Sequence, residues 1–440
     1  MRGKQVIVIG LGISGRSAAR FLLNRGASVI GVDQKGLSLR DDPDISHLLM
    51  RGMRLLRDNV QIPSSEYDFV VASPGISPRH PLYQAAINAG KEVIGEITLA
   101  CRSIRQPMIG ITGTNGKTTV TLMVAHVLNH CGIPARSLGN IGVPLTAEVD
   151  GLKNEVIVAE LSSFQLETLN VKVLDAAVLL NITPDHLDRY NSLEEYAKAK
   201  FHIYSCLKPD ASFYIHEKCW KEYRDITSGM NVKTFGYDST SSLWTDKEKI
   251  FEQQNVATNL PFDYRGAVSH DVENILAAYA LCRQMGVQPD AFGQAVGLFR
   301  KPPHRIEFVR KRNGVSFFDD SKGTNLDAVM RAVESLNGNV VLIAGGVDKG
   351  AAYTPWIESF SGRVRCICAI GEAKEKIQRD VGDHISVKLY ASLEEAVHQA
   401  AQVAEAGDHI LLSPGCASFD MFRDYAHRGN EFKRIVQLLD

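Results

Sequence analysis

The sequence predicts an α/β protein of three domains, each a mainly parallel sheet with flanking helices. Three observations lead there. A chain of 440 residues exceeds what one core can organise and suggests about three domains. Apolar strand-like segments alternate with helical ones, the pattern of parallel sheets. Two of those strands run into glycine-rich turns that open helices. The expected divisions are 1–95, 96–301 and 302–440. The last boundary falls in a stiff connector, Lys301-Pro302-Pro303-His304-Arg305-Ile306-Glu307.

Hydrophobic content of 45% and charged content of 22% are those of a soluble globular protein. A formal net charge of −1 argues against a nucleic acid or a membrane surface held by bulk electrostatics, so an anionic ligand must be held by local sites. No apolar run reaches the ~18 residues that span a bilayer. The N-terminus enters a strand with no signal-like segment before it. Eight cysteines are scattered without a CxxC pair, and Cys366 and Cys368 share one face of a strand, as buried packing would have them. The cysteine pattern fits a reducing cytoplasm with neither structural disulfides nor zinc. Small-molecule partners and a monomer are expected as well.

In the first segment, Gln5–Ile9 reads as a buried strand, Gly10-Leu11-Gly12-Ile13-Ser14-Gly15 as a tight turn, and the residues to Leu23 as an apolar helix. A second strand, Ser28–Asp33, ends on an acid about 20 residues on, which completes a dinucleotide-binding fingerprint. Helix dipole and backbone amides recognise a pyrophosphate and not a nicotinamide, so NAD, FAD, another nucleotide diphosphate, or no ligand at all remain open here. Asp68–Ala72 is a strand breaking into Ser73-Pro74-Gly75, at a strand end where open sheets place ligands.

The middle segment carries the strongest motif. Strand Met108–Ile111 runs into Gly113-Thr114-Asn115-Gly116-Lys117-Thr118-Thr119, and an apolar helix follows from Val120 to Leu128. Glycines let backbone N–H groups face a phosphate, the helix N-terminus adds partial positive charge, Lys117 can reach outer phosphates, and the Thr118 hydroxyl can ligate Mg2+. Ile111 stands where strict P-loop spacing puts a glycine. Strand Val156–Ala159 ends in Glu160, a position for a Mg2+ ligand or water-orienting group, or for an acid that complements a helix N-terminus. Strand Ala176–Asn181 leads to Asp185-His186-Leu187-Asp188, near the presumed phosphates, where His186 is either a structural histidine or a contact to metal or substrate. The helix from Ser192 to Tyr204 opens on a capping box with Glu195. On that helix Lys200 shares an apolar stripe with Tyr196 and Tyr204, and by physics alone it is a structural lysine that snorkels to solvent. Residues 205–265 say little beyond strands near Ser212–Ile215 and Val232–Tyr237. Ser269–Asn274 opens an alanine-rich helix.

The last segment predicts strands at Val315–Asp319, Val340–Ala344, Cys366–Ile370 and His409–Leu412. Polar loops follow three of them: Asp320–Asn325, Gly345–Gly350 and Ser413–Asp420. All three should leave one edge of a parallel sheet and together suit a small acidic molecule.

This set of motifs resembles the Mur ligase family along nearly the whole chain, and its glutamate-adding branch in particular. The specific pieces are Gly113–Thr119, Glu160-Leu161-Ser162-Ser163-Phe164-Gln165-Leu166-Glu167, Asp185–Tyr190, Pro303-His304-Arg305, Asp320–Asn325, and Ser413–Asp420 followed by Arg428-Gly429-Asn430-Glu431-Phe432. The resemblance implies Rossmann-like outer domains around a central P-loop ATPase domain. It implies an ATP-dependent ligase that adds D-glutamate to UDP-N-acetylmuramoyl-L-alanine through an acyl phosphate, a cytoplasmic step of peptidoglycan synthesis. Gly12, Ile13, Ser14, Asp33, Ser73 and Asn140 would hold the UDP substrate. Thr118 and Glu160 would share one Mg2+, and His186 with Lys200 a second. Lys200 would carry a carbamate, which requires surroundings that favour the neutral amine. Asn274 would touch adenine, and Arg305 and Asp320 the rest of ATP. Lys322, Thr324, Lys349, Ser418, Phe419 and Tyr425 would receive D-glutamate. Family members show His-Asn before the adenine asparagine, whereas this chain has His270-Asp271. The rival readings are a sibling ligase with another amino acid, a P-loop switch or motor, and a nicotinamide oxidoreductase that leaves the Gly-Lys-Thr loop idle.

Overall fold

A computed structural model describes residues 1–187, 189–261 and 269–439. Contacts divide the chain into two compact units. The first comprises Met1–Asn181, Tyr196–Ala267 and Asp271–Phe299, and the second Ile182–Glu195, Val268–His270 and the chain from Arg300 onward.

The first unit holds two sheets. Strands β1 (Gln5–Ile9), β2 (Ser28–Asp33), β3 (Arg54–Arg57), β4 (Phe69–Ala72) and β5 (Glu92–Gly95) lie in the order β3-β2-β1-β4-β5, all parallel. The strand order reverses between β1 and β4, which puts the Gly10–Gly15 turn and the Ser73–Gly75 turn side by side at the crevice where such sheets bind ligands. Val6, Val8, Ile7 and Ile9 of β1 are all buried, as expected of a central strand covered on both faces.

The second sheet runs β14-β13-β12-β11-β10-β9-β6-β8-β7. Its parallel part is β6 (Met108–Thr112), β7 (Ala135–Gly139), β8 (Val156–Glu160), β9 (Leu174–Leu179), β10 (Leu207–His216) and β11 (Val232–Gly236). β6 sits between β8 and β9, so the phosphate-loop strand has Glu160 at the end of one neighbour and Asn181 just past the end of the other. The helices Lys117–His130, Ser269–Gln284 and Pro289–Gly297 contribute Val120, Val124, Leu276, Leu281, Phe292 and Val296 to its core.

The expected parallel pattern breaks in the stretch that was least informative. β12 (Leu243–Thr245), β13 (Lys249–Glu252) and β14 (Asn255–Asn259) form an antiparallel meander. Its turns place Lys247 and Gln253 at φ 76° and 55°, without a glycine to announce a hairpin. The capping box is also only half made. Glu195 N donates to Ser192 Oγ, but the Glu195 carboxylate takes the N–H of Asn191 instead.

In the second unit, β15 (Glu307–Arg312), β16 (Val315–Asp319), β17 (Val340–Gly345), β18 (Val364–Ile370), β19 (Val387–Leu389) and β20 (His409–Leu412) take the order β15-β16-β20-β17-β18-β19. The antiparallel edge strand β15, absent from the sequence reading, joins β16 through Asn313-Gly314, both at positive φ. Cys366 and Cys368 are buried neighbours with sulfurs 4.0 Å apart. Among the described residues, no helix is long and apolar enough to cross a membrane.

The glycine turn after β1 leaves no room for a side chain at its last position. A Cβ on Gly15 would stand 1.8 Å from Gly10 O and 2.7 Å from Ser73 Oγ. Gly15→Ala is therefore expected to destabilise the first sheet by about 1–3 kcal/mol or more. A urea-unfolding midpoint equal to wild type would contradict this packing.

Candidate active site

In the first unit the phosphate loop is built from the strand upward. Ile111 is fully buried inside β6, so the glycine of the strict pattern has no function there, and the turn begins two residues later. Gly113 takes φ 150° and Gly116 takes φ 87°, and Gly116 caps the helix Lys117–His130. A Cβ on Gly116 would meet Asn274 Oδ1 at 2.4 Å, so the predicted adenine residue packs against the loop itself. Asn181 braces the other side. Thr114 N donates to Asn181 O (2.9 Å), Asn115 N donates to Asn181 Oδ1 (2.8 Å), and Asn181 Nδ2 donates to Asn115 O (3.1 Å). Thr118 stands half-buried and Thr119 buried in the first helical turn.

Lys117 Nζ donates to Gly113 O and Thr114 O, each at 2.8 Å. Lys200 Nζ donates to the same Gly113 O at 2.8 Å. Lys200 is 1% exposed and lies 4.4 Å from the Tyr196 ring, so it does not snorkel to solvent as its stripe alone suggests. The helix Leu193–Phe201 buries that face, Tyr196 included, and Thr114 Oγ1 donates to Tyr196 OH.

Glu160 is buried at the end of β8. Asn140 Nδ2 donates to Glu160 Oε1 at 2.9 Å, which ties this amide to the carboxylate at the end of β8. Glu160 Oε2 is buried and has no hydrogen-bond partner among the described residues. A carboxylate oxygen left open in a dry place costs about 1–3 kcal/mol unless something fills it. Beside a phosphate cradle, a hard divalent cation such as Mg2+ fits that oxygen.

At the first sheet, Asp33 holds the turn instead of pointing away from it. Its carboxylate accepts from Leu11 N (2.8 Å) and Lys35 N (2.9 Å), while Ser73 Oγ donates to Gly10 O (2.7 Å). Gly12 caps the helix Ile13–Asn24, Ile13 is 78% exposed, and Ser14 is half-buried. The helix N-terminus is thus open to an anion.

In the second unit β16, β20 and β17 are adjacent and parallel, so the loops after them leave one edge together, as the sequence predicts. Ser413 Oγ donates to Asp320 Oδ2 (2.7 Å), and Gly415 N donates to Gly323 O (2.8 Å). Burial pushes the Asp320 carboxyl up to about 7, against the Ser413 hydrogen bond and the Arg305 charge, which favour its ionised form. Lys322 Nζ lies 4.0 Å from the Tyr425 ring. Lys349 Nζ pairs with Asp185 Oδ1 at 3.0 Å, and Asn325 Nδ2 donates to Asp185 Oδ2 at 3.4 Å. His186, at φ 55°, groups with this unit, and its N–H donates to Asp185 Oδ1. Thr324 is half-buried, Ser418 buried and Phe419 74% exposed. Asp188 lies outside the described residues.

Sequence reasoning missed the supports more than the contacts. Asn181 and Tyr196 brace the phosphate loop, and buried Arg428 donates to Ser321 Oγ and O and to Cys416 O. Only the run Arg428–Phe432 carried a signal, and it came without a role. A cavity of about 610 Å³ lined by Tyr214, Lys233, Glu252 and Arg283 holds none of the predicted site residues.

Known domain families match along the chain: the Mur ligase MurD-like N-terminal domain over residues 4–95, the Mur ligase middle domain over 111–282, and the Mur ligase glutamate ligase domain over 304–416. The chain is 50% identical over 438 residues to the UDP-N-acetylmuramoylalanine–D-glutamate ligase of Protochlamydia amoebophila, covering 99% of this chain and 98% of that protein. It is 37% identical to the protein of the same name from Trichlorobacter lovleyi, with 100% of both chains covered. MurF of Acinetobacter baumannii, a solved structure, shares the fold with a TM-score of 0.63 at 15% identity, over 97% of this chain and 93% of that one.

The Asp320 environment has a pH signature. Its carboxyl is protonated in both folded and unfolded chains below about pH 4, and the unfolded chain ionises first as pH rises, so stability is lost between about 4 and 7. Relative to Asp320→Asn, the wild-type chain is expected to lose on the order of a few kcal/mol across that window. Parallel stability–pH profiles for the two proteins, by urea unfolding, would contradict the assignment.

Proposed function

The chain belongs to the Mur ligase family, and from that premise we propose that it joins D-glutamate to UDP-N-acetylmuramoyl-L-alanine with hydrolysis of ATP, in the cytoplasm and as a monomer. The observation that carries the reading is the convergence of Lys117 and Lys200 on Gly113 O, beside the open oxygen of Glu160. Support for the amino acid comes from two relatives, matched end to end, that bear this activity in their names.

The substrate carboxylate attacks the γ-phosphorus of ATP in line, ADP leaves, and an acyl phosphate forms. The D-glutamate amine then attacks the acyl carbon, and phosphate leaves from the tetrahedral adduct. The first step brings two anions together, and like charges ~4 Å apart repel by about 4 kcal/mol in a partly desolvated site. Lys117 and the N–H groups of Gly113–Thr119 oppose that repulsion and hold the phosphates in line. Thr118 and Glu160 would hold one Mg2+, and His186 with a carbamylated Lys200 a second, which would supply further positive charge at the phosphate oxygens. Asn274 takes adenine, and Arg305 and Asp320 the remainder of ATP. The residues Gly12, Ile13, Ser14, Asp33, Ser73 and Asn140 take the UDP portion, in a domain of residues 1–95 joined to domains 96–301 and 302–440. The cations of Lys322 and Lys349, with Thr324, Ser418, Phe419 and Tyr425, take D-glutamate.

A carbamate on Lys200 is consistent with its environment. Carbamylation leaves one N–H on the nitrogen, so the bond to Gly113 O can persist while the charge changes sign.

Phosphate release measured with ATP, UDP-N-acetylmuramoyl-L-alanine and each amino acid in turn should depend on D-glutamate. Release that needs no amino acid, or prefers another, would reject this function. In that assay Lys117→Ala should lower turnover by about 10³-fold while its thermal unfolding matches wild type. Lys200→Ala should lose most activity and regain part of it with added short carboxylic acids. No recovery would remove the support for a carbamate.

A further inference from the structure

The run Pro303-His304-Arg305 belongs to the motifs of this chain, yet the reading above gives a role to Arg305 alone. Its neighbours on both sides are in a left-handed backbone conformation, His304 at φ 64° and Ile306 at φ 52°. Neither is glycine, and Ile306 is β-branched, for which such a φ is a clear outlier. Backbone strain of this kind persists only where the surroundings over-determine it, and it collects at ligand clamps.

The surroundings here do over-determine it. His304 is 7% exposed and its Nδ1–H donates to Asp319 Oδ2 at 2.6 Å, with Asp319 fully buried at the end of β16. His304 N donates to Glu307 Oε2 (2.9 Å), and Lys322 N donates to His304 O (3.2 Å). Asp319 Oδ1 accepts from Ser321 N at 2.9 Å. The Arg305 charge and the backbone N–H of Ile306 both favour the ionised form of the Asp320 carboxyl, against its burial. Lys433 Nζ, 3.1 Å from Glu307 Oε2 and 4.0 Å from Asp319 Oδ2, supplies the cation these carboxylates need. The helix Tyr425–Leu438 makes space for the pair with Gly429, where a Cβ would fall 2.2 Å from His304 Nδ1 and 2.8 Å from Asp319 Oδ2.

We infer that His304 is a positioning residue: anchored by Asp319, it clamps the left-handed turn His304–Ile306 so that the Arg305 guanidinium is held ready beside Asp320 before ATP arrives. The inference rests on the reading of Arg305 as an ATP contact. It predicts that His304 affects ATP only through Arg305.

The test is a double-mutant cycle on the full-length chain, reading KM for ATP and kcat with the other substrates saturating, alongside thermal unfolding. His304→Ala should raise the KM for ATP by about tenfold to a hundredfold, as misplacement of a clamping group does, with a smaller change in kcat. Arg305→Ala should raise it at least as much, and the double variant should be no worse than Arg305→Ala alone. His304→Asn should recover most of the loss, because asparagine tolerates the left-handed backbone and its Nδ2 stands where Nδ1 does. Effects that multiply in the double variant would overturn the inference, since His304 would then act independently of Arg305. An Asn variant as impaired as Ala would overturn it too. An Arg305→Ala variant with unchanged KM would instead remove the ATP role of Arg305, and the inference with it. Should His304→Ala fail to fold, Asp319→Asn enters the same cycle with the same criteria.

Discussion

One main-chain oxygen organises the central sheet's ligand edge. Gly113 O accepts from Lys117, four residues on, and from Lys200, which arrives on a helix 87 positions away. Two ammonium groups bonded to one oxygen lie within ~6 Å of each other, and as bare charges they repel by roughly 3 kcal/mol at an effective dielectric of about 20. An arrangement of that kind becomes favourable once an anion shares it. A phosphate group would do so, and so would conversion of one amine to a carbamate. The buried oxygen of Glu160 nearby makes the opposite demand for positive charge. Loop, helix and strand end are therefore matched to a ligand that brings phosphate and cation together.

The second unit meets its ligand problem by a different route. Three neighbouring parallel strands bring their loops to one edge, and the loops are tied to each other by Ser413–Asp320, Gly415–Gly323 and Val347–Ala417. Arg428 ties the loops after β16 and β20 together through Ser321 and Cys416. Positive charge is placed at the rim, with Lys322 on Tyr425 and Lys349 on Asp185, where each can exchange its present partner for a carboxylate. The buried Arg428 differs, because burial drags its basicity down to about 10 and every contact it makes is structural.

Much of this architecture is legible in the sequence because local rules and burial point the same way. β1, β2, β16 and β20 are continuous apolar runs bounded by turn residues, and their ends agree with the reading. The meander β12–β14 is not legible, since Lys247 and Gln253 adopt turn conformations their side chains do not advertise. By contrast β15, which was not among the expected strands, joins β16 through Asn313-Gly314, a hairpin dipeptide readable in the sequence. In the site, charge-bearing residues at strand ends are readable, but what they touch is not. Lys200 looked like a surface-seeking lysine because helical periodicity reports a stripe, not what packs on it. Asn140 and Asp33 face inward to Glu160 and to the glycine turn for the same reason: their partners lie 20 and 22 residues away in sequence.

Gly429 carries a lesson for anyone seeking a more heat-resistant form of the chain. Replacing a mid-helix glycine by alanine is a routine gain of about 1 kcal/mol in an exposed helix. At this position the methyl group would enter the space held by His304 and Asp319, so a library built on helix propensity alone would expect a gain where overpacking costs about 1–3 kcal/mol and shifts the turn His304–Ile306. The glycine matters for what it leaves vacant, and a score of helix propensity alone does not register that space.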